Sequence, residues 1–466
     1  MDHIVVLDVG KTVSKLSLWS ADGRVVARQA RTNEKVISDG RAVLDAAGID
    51  AWLAATLAEF ARRRRVTAII PVAHGAAFAQ VRGGRLLQPP VDYESPVAPD
   101  IRAQYLAQRD SFSLTGSPAL PDGLNLGMQL HAVEAEEGKA FAAGTLLLTW
   151  PQYWAWRLCG VAATEVSSLG CHTDLWFPAA ASPSRLAVDR GWAACLAPLR
   201  RADECLGTLL KDWVDRTGLP ADVRVYCGLH DSNAALLALC GGDACTLGEV
   251  SVLSTGTWFV AMRSGAPPAT AAFAEDRDCL VNVDPFGRPV PSARFMGGRE
   301  LEVLTQGCRC RIDSPAHQPL VAAALREVLR HDIRIMPTFA AGCGPFATAR
   351  GRWQGSAHGD PTRAAAASLY AALVSDTCLD LMGASDAIIV EGRFRAAEVF
   401  LRALAALRPA ARLYRAGADV DVAWGALRLL QPGLHMPDPP VLMQPLEADL
   451  CAYRHAWRRG VERGFS

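Results

Sequence analysis

The chain has 466 residues, of which half are hydrophobic and 21% are charged, a composition typical of a globular protein built from two or three domains. Lys plus Arg and Asp plus Glu balance at 48 each, which argues against a broad nucleic-acid surface. The sequence shows no apolar run of membrane-spanning length and no signal peptide, and its 13 cysteines form neither a paired framework nor a zinc motif. We therefore expect a cytoplasmic protein with no nucleic-acid or membrane partner.

The N-terminal motif predicts a phosphate-binding hairpin. An apolar strand that begins at Ile4 reaches an acid and a polar turn, Asp8–Thr12, before an alternating second strand returns. Gly10 allows backbone N–H groups to approach an anion, and the carboxylate of Asp8 at the end of a buried strand suits a hydrated Mg²⁺ beside phosphate. A hairpin with a polar tip is the alternative. The turn is not a P-loop, because Val5 stands where that motif requires glycine.

The next buried strand predicts a second ligand-facing position. A helix near residues 50–64 precedes a strand over 66–72, an order that predicts a mixed sheet, and His74 follows where the strand emerges. His74 is either a substrate contact or a structural histidine. The stretch 83–125 is rich in Pro, Gly and Asp and predicts a long functional loop with little regular structure, and a helix-like stretch containing Gln129 follows it.

A later strand, Arg224–Cys227, leads through a glycine to His230 and Asp231 at the start of an Ala/Leu-rich helix. Asp is favoured as a helix N-cap, so Asp231 has a simple structural explanation. The alternative is a carboxylate placed at a strand-to-helix junction, where it can accept a proton. These residues alone leave both explanations open.

The opening layout of strand, Gly-Thr turn and strand recurs around Ser254–Thr257. Two such hairpins predict two lobes on one plan, residues 1–244 and 245–466, with a phosphate chain held between their turns. Two unrelated hairpins are the alternative. Further along, Gly298 opens a helix, and Gly392 lies in a strand–turn–helix junction of the kind that binds nucleotides.

Four motifs together resemble the FGGY carbohydrate kinases of the actin/hexokinase superfold. They are the first phosphate motif Asp8–Thr12, the catalytic-aspartate motif Gly228–Ala234 in its rhamnulokinase-like His-Asp form, the second phosphate motif Ser254–Trp258, and the adenosine motif Val390–Arg393. The sequence departs from the family by an inserted Lys11 and by the single glycine, Gly392, of the adenosine motif. The resemblance implies an α/β fold of two ribonuclease-H-like (actin/hexokinase-type) domains with mixed five-stranded sheets flanked by helices. The N-terminal domain would bind sugar and phosphate, the C-terminal domain would bind the nucleotide, and the ATP cleft would lie between them.

The resemblance further implies ATP-dependent phosphorylation of a sugar hydroxyl, with Asp231 as the general base and Asp8 as the Mg²⁺ ligand. The substrate-binding residues it implies are His74, Gly75, Asp92, Gln129 and His230. The ATP-binding residues it implies are Gly10, Lys11, Thr12, Thr255, Gly256, Thr257, Gly298 and Gly392.

Three segments, His74–Ala76, Asp92–Glu94 and Thr164–Asp174, look most like the L-fuculose and L-rhamnulose kinases of the family. A ketose or deoxyketose such as these is therefore the expected substrate. Related ketose kinases have an Asp at the position of Gln152 that helps to set sugar contacts. The expected partners are the sugar and ATP, and a homodimer stays open. The alternative function is a catalytically weak or inactive sensor of sugar or nucleotide with the same fold.

Overall fold

A computed structural model describes residues 2–138, 141–240, 249–265, 273–418, 420–436 and 438–463. The chain divides into two compact units. The first unit comprises Met1–Gly242, Val281–Val290 and Asp419–Pro437, and the second comprises Asp243–Leu280, Pro291–Ala418 and Asp438–Ser466. The predicted boundary at 244/245 lies outside the described residues. The prediction of one boundary also missed that two later segments, Val281–Val290 and Asp419–Pro437, belong to the first unit.

The N-terminal half alternates strands and helices. Its strands are β1 (His3–Val9), β2 (Val13–Ser20), β3 (Val25–Thr32), β4 (Lys35–Ser38), β5 (Arg41–Leu44), β6 (Val66–Ala73), β7 (Phe78–Arg82), β8 (Arg85–Leu86), β9 (Leu146–Thr149), β10 (Trp176–Phe177), β11 (Ser182–Pro183), β12 (Cys205–Thr208), β13 (Arg224–Tyr226) and β14 (Leu229–His230). Its helices are α1 (Ala46–Arg63), α2 (Pro99–Leu106), α3 (Phe112–Thr115), α4 (Leu126–Glu137), α5 (Trp150–Cys159), α6 (Val166–Leu169), α7 (Arg185–Asp189), α8 (Lys211–Thr217) and α9 (Asp231–Leu239).

The C-terminal half repeats this alternation. Its strands are β15 (Val250–Thr255), β16 (Phe259–Arg263), β17 (Cys279–Val283), β18 (Pro289–Phe295), β19 (Arg334–Met336), β20 (Arg352–Gln354), β21 (Ala387–Gly392), β22 (Arg412–Arg415) and β23 (Val441–Leu442). Its helices are α10 (Gly297–Leu304), α11 (Gln318–Arg330), α12 (Asp360–Leu381), α13 (Glu398–Leu407), α14 (Val422–Leu430) and α15 (Cys451–Glu462).

The first unit is built on a mixed sheet in the order β12-β13-β6-β1-β2-β3, with β14 also paired to β6. Strand β1 is antiparallel to β2 and parallel to β6, and every one of its residues is buried. Alternate β1 side chains pack into a core with α1 and α5. The other face of the sheet meets α9 and α14, the helix that returns to this unit from the C-terminal half.

The second main sheet has the order β17-β18-β16-β15-β21-β22-β23. Strand β15 is antiparallel to β16 and parallel to β21, which is the same arrangement that β1 has with β2 and β6. The central helix α12 packs against α11 and α13, and its residues from Ala364 to Leu379 are all buried. Repetition of the strand–turn–strand unit in both sheets agrees with the predicted common plan.

One sequence-based expectation, the number of strands in each sheet, needs correction. Each main sheet has seven strands instead of five, because β13 and β14 are two pieces beside β6 and short strands extend the edges. The stretch 83–125, predicted to have little regular structure, contains β8, α2 and α3 and otherwise no helix or strand among its described residues. Among the described residues, one helix, α12, is long and apolar enough to cross a membrane by length and composition alone, but 89% of that window is buried inside the protein, as in a core helix.

Candidate active site

The first unit gathers its predicted residues at one edge of its sheet. Strands β1 and β14 both run parallel to β6 and flank its last residues. Asp8 and Leu229 are both paired with Val72, and His230 is paired with Ala73. The carboxyl ends of three parallel strands therefore meet at one place, which is the usual ligand-binding edge of an open α/β sheet.

Asp8 is a buried carboxylate at this edge, with 7% of its surface exposed. Because the alternate residues of β1 face the core with α1 and α5, Asp8 faces the opposite side of the sheet. Its cross-strand neighbour Lys15 places Nζ 3.6 Å from its Oδ2. Burial raises the pKa of Asp8 to about 6, and the carboxylates of Asp231 and Asp421 add to the effect while Lys15 opposes it.

Asp231 is the first residue of α9, and His230 occupies the N-cap position. The Asp231 side chain is 27% exposed, and its Oδ1 lies 3.2 Å from His230 Nε2. The same Oδ1 accepts a hydrogen bond of 2.6 Å from the backbone N–H of Ser232. The interpretation of Asp231 as the N-cap is therefore wrong by one residue. Its carboxylate lies in the first helical turn, where it remains partly accessible to a ligand.

Two buried histidines, His74 and His230, lie around this carboxylate. His74 Nδ1 is 2.7 Å from the carbonyl oxygen of Gly75. Burial lowers the pKa of His74, with the Gly75 carbonyl and the Asp231 carboxylate acting in the opposite direction. A Cβ at Gly75 would lie 2.9 Å from Cys171 Sγ and 3.2 Å from His230 Nε2, so glycine allows His230 to lie against the end of β6.

Lys11 and Asp92 were predicted in different roles, and the structure pairs them. Lys11 Nζ forms an ion pair with the Asp92 carboxylate and lies 4.5 Å from the centre of the Tyr93 ring. Only 14% of the Lys11 side chain is exposed. The Lys11 ammonium group is thus bound within the first unit, and its predicted contact with ATP stays a prediction.

Gln129 is 2% exposed and holds two loops beside these residues. Its Nε2 donates to the carbonyl of Ala76 at 2.7 Å and to that of Gly123 at 2.6 Å. Within the described part of the chain, its Oε1 has no hydrogen-bond partner. The amide oxygen is thus a buried acceptor next to the predicted sugar-binding residues.

The first turn is held in shape by an asparagine that the sequence did not single out. Asn33 Nδ2 donates to the carbonyl of Gly10 at 2.8 Å, and the Asn33 backbone N–H donates to the carbonyl of Thr12 at 2.9 Å. The Gly10 N–H donates to Val13 O across the turn at 3.2 Å. Thr12 itself is exposed, so its hydroxyl is accessible to a phosphate group.

In the second unit, the turn after β15 is packed against two glycines from other elements. A Cβ at Gly298, in the first turn of α10, would lie 2.0 Å from Gly256 O, and the Gly298 N–H donates to Thr257 O at 3.2 Å. Gly392 has a φ of +86°, and a Cβ there would lie 2.3 Å from Thr255 O. The five residues predicted to bind ATP in this half therefore form one cluster.

The Thr255 side chain links the end of β15 to the loop after β21. This side chain is buried at the end of β15, where Oγ1 donates to Glu391 O at 2.5 Å and accepts from the Phe394 N–H at 3.0 Å. The hydroxyl fixes the loop after β21, and the predicted contact of Thr255 with phosphate stays a prediction. Gly256 and Thr257 remain partly exposed at the turn.

The residues at Asp8 fit a hydrated Mg²⁺. Burial is the main reason that the pKa of Asp8 is raised, and the carboxylates of Asp231 and Asp421 add to it, so a bound cation would favour the ionised form of Asp8. No group of three or more His, Cys, Asp or Glu able to hold a metal ion occurs among the described residues. In proteins, Mg²⁺ commonly uses one or two carboxylates and completes its shell with water and substrate phosphates.

Sequence reasoning missed Asn33, Cys171 and Asp421. Each lies far along the chain from the residue it affects, and the type of residue alone gives no signal of the contact. Gln152 stands where related ketose kinases have an Asp that helps to set sugar contacts. The structure shows a fully buried Gln152 whose Nε2 donates to Cys227 O at 3.2 Å and Gly228 O at 3.1 Å, so this residue supports the turn before β14.

Two α/β units with mixed sheets, each carrying a glycine-containing turn between antiparallel strands, define the actin/hexokinase class. Residues 247–438 match the family described as carbohydrate kinase FGGY, C-terminal domain. A crystal structure of a carbohydrate kinase from Novosphingobium aromaticivorans is 50% identical, with a TM-score of 0.89, over 98% of this chain and all of that one. The chain belongs to the FGGY carbohydrate kinase family, and the predicted enzyme class and fold are confirmed.

More distant structures share the fold. Ligand-bound xylulose kinase from Lactobacillus acidophilus is 14% identical with a TM-score of 0.79, over 100% of this chain and 97% of that one. Glycerol kinase from Plasmodium falciparum with ADP is 11% identical with a TM-score of 0.77, over 100% of this chain and 99% of that one. No curated protein matches the sequence.

Proposed function

We propose that Asp231 is the general base that orients and deprotonates the attacking sugar hydroxyl. The observation that carries this proposal is its accessibility: Asp231 is 27% exposed, whereas Asp8, His74 and His230 around it are each less than a tenth exposed. In-line phosphoryl transfer needs a positioned acceptor for the hydroxyl proton and little other covalent chemistry from the protein. The proton of the hydroxyl would pass to a carboxylate oxygen of Asp231.

The neighbouring residues orient the sugar and the phosphates in this proposal. His230, 3.2 Å from Asp231, and the Gln129 amide oxygen supply hydrogen-bonding groups for sugar hydroxyls. Thr12, Gly256 and Thr257 supply amides and hydroxyls for the β- and γ-phosphates. Asp8 would hold Mg²⁺ through water. When bound, Mg²⁺ neutralises negative charge on the transferred phosphoryl group.

We further propose a ketose or deoxyketose, such as L-fuculose or L-rhamnulose, as the substrate. The support is the resemblance of His74–Ala76 and Asp92–Glu94 to kinases of those sugars, together with the burial of His74 and Asp92. The test is an ADP-release screen of ketoses, deoxyketoses, aldoses and polyols with ATP and Mg²⁺. The highest kcat/KM is expected for a ketose. Turnover of only aldoses or polyols would overturn the substrate class, and turnover of no sugar would favour the sensor alternative.

A further inference from the structure

The lysine of the first turn is anchored to the loop that precedes α2. Lys11 Nζ is paired with the carboxylate of Asp92 and lies over the ring of Tyr93, 4.5 Å from its centre. Exposure of the two charged side chains is 14% for Lys11 and 6% for Asp92. Such a desolvated pair is costly to break, because loss of one partner leaves the other charge buried without compensation.

Backbone hydrogen bonds to β5 and within the loop also hold the segment that contains Asp92 and Tyr93, and the Leu44 N–H donates to Pro90 O at 2.8 Å. The Asp92 N–H donates to Ala42 O at 3.0 Å, and the Ser95 N–H donates back to Asp92 O at 2.9 Å. Asp92 Oδ1 also accepts from the Glu94 N–H at 2.9 Å. The side chain of Lys11 is therefore the link between this loop and the phosphate turn.

The anchored loop reaches the residues around the base. The Tyr93 ring meets the His74 ring edge-on, with 5.9 Å between their centres. The charges of Lys11, Asp92 and Asp231 all act on His74. The Tyr93 carbonyl accepts from the Gly123 N–H at 3.0 Å, and the Gly123 carbonyl in turn accepts from Gln129. One chain of contacts thus runs from Lys11 through Tyr93 to His74 and Gln129.

We propose that Lys11 is a positioning residue for the sugar: it fixes the Asp92–Tyr93 loop against His74 and so sets affinity for the sugar, whereas it does not bind the phosphates of ATP. The proposal rests on the assignment of this edge of the first unit to the sugar. It explains why a lysine stands in a turn that the family uses for phosphate. It also predicts that the effects of substituting Lys11 and Asp92 on the sugar KM are not additive.

The test is a double-mutant cycle with Lys11→Met, Asp92→Asn and the double variant, in which KM for the sugar and KM for ATP are measured separately. Lys11→Met is expected to raise the sugar KM about tenfold or more and to change the ATP KM less than about twofold. The double variant is expected to have a sugar KM no higher than that of Asp92→Asn alone, and Lys11→Arg is expected to restore most of the affinity.

Lys35→Met is the matched control. Lys35 pairs with Glu94 of the same loop at 3.6 Å, but its side chain is 78% exposed, so its loss is expected to leave the sugar KM nearly unchanged. Hydrogen exchange at residues 90–96 is expected to increase in Lys11→Met and not in Lys35→Met, a result that does not depend on turnover.

Two results would overturn the proposal: a rise in the ATP KM with an unchanged sugar KM, or additive effects of Lys11→Met and Asp92→Asn. Failure of Asp231 as the base would appear instead as normal kcat in an Asp231 variant. The role of Lys11 is thus tested by the KM values of the Lys11 and Asp92 variants, whereas the role of Asp231 is tested by the kcat of an Asp231 variant.

Discussion

Burial of Asp8 has a free-energy cost that the protein alone does not recover. The pKa of its carboxyl rises from 3.8 to about 6. Each pKa unit corresponds to about 1.4 kcal/mol, so the ionised form costs the native state about 3 kcal/mol at neutral pH. Lys15 is half exposed and 3.6 Å away, and compensates only in part. A residue kept at such a cost is expected to serve a ligand.

We predict that Asp8→Asn makes the protein without nucleotide or metal more stable at pH 8 and inactive. The native state binds the Asp8 proton more tightly than the unfolded state does, so the cost of Asp8 is fully present above about pH 6 and disappears as the pH falls towards 4. The variant is expected to gain roughly 1–3 kcal/mol at pH 8 and almost nothing near pH 4. Thermal unfolding at both pH values measures this, and equal stability of the two proteins at pH 8 would contradict it.

The turn after β15 shows how local elements build the cluster of glycines and threonines that we propose to bind phosphate in the second unit. The strand–turn–strand pattern could be predicted from the sequence, because the alternation of apolar and polar residues and the Gly-Thr turn are local signals. The packing of α10 and of the loop after β21 against that turn could not be predicted from the sequence. Only the folded chain shows that Gly298 contacts Gly256 and that Gly392 contacts Thr255. The hydrogen bond from the Thr255 hydroxyl could not be predicted for the same reason, because its acceptor, the carbonyl of Glu391, lies 136 residues away in the sequence.

Gly298→Ala and Gly256→Ala are predicted to separate stability from ATP binding. A Cβ at Gly298 would lie 2.0 Å from Gly256 O, so α10 must move, at a cost of roughly 1–3 kcal/mol. A Cβ at Gly256 would meet Trp258 O at a comfortable 3.8 Å, with no closer atom among the described residues. Gly256→Ala is thus expected to keep its unfolding midpoint while its ATP KM rises about tenfold, because the methyl group occupies space left for phosphate.

Unfolding midpoints and ATP titrations of the two variants measure this difference. Gly433→Ala is a suitable control, since a Cβ there meets nothing within 4 Å among the described residues. An unchanged ATP KM in Gly256→Ala would show that the turn does not approach the nucleotide.

At the scale of the whole molecule, the fold class was predictable and the path of the chain was not. The two strand–turn–strand motifs predict two lobes on one plan, and the resemblance to the FGGY kinases implies their α/β fold. Helix α14, however, returns from the C-terminal half to the first unit. Its Trp424 packs against Trp19 with ring centres 5.8 Å apart, and Arg428 donates to the carbonyls of Leu237 and Ala238 at the end of α9. An apolar helix face identifies no partner by itself, so the sequence could not reveal this return.

We therefore predict that residues 1–244 alone do not fold stably. Without α14 the fragment exposes the face of the sheet and of α9 that Trp424 and Leu427, both fully buried, now cover. Coexpression with residues 245–466 is expected to give a soluble complex. Circular dichroism and thermal unfolding of the fragment measure this, and a cooperative unfolding transition of 1–244 alone would contradict it.

The turnover of Asp231→Asn tests the central claim most directly. With the sugar identified by the screen, we expect sugar-dependent ADP release to fall by a factor of about 10³ or more, while ATP binding measured by titration stays within about twofold. Ser232→Ala is the matched control, because it removes a 3.3 Å hydrogen bond to Asp231 but keeps the carboxylate, and its kcat is expected to stay within about tenfold of the wild type. Near-normal kcat in Asp231→Asn, with ATP binding intact, would show that Asp231 is not the base.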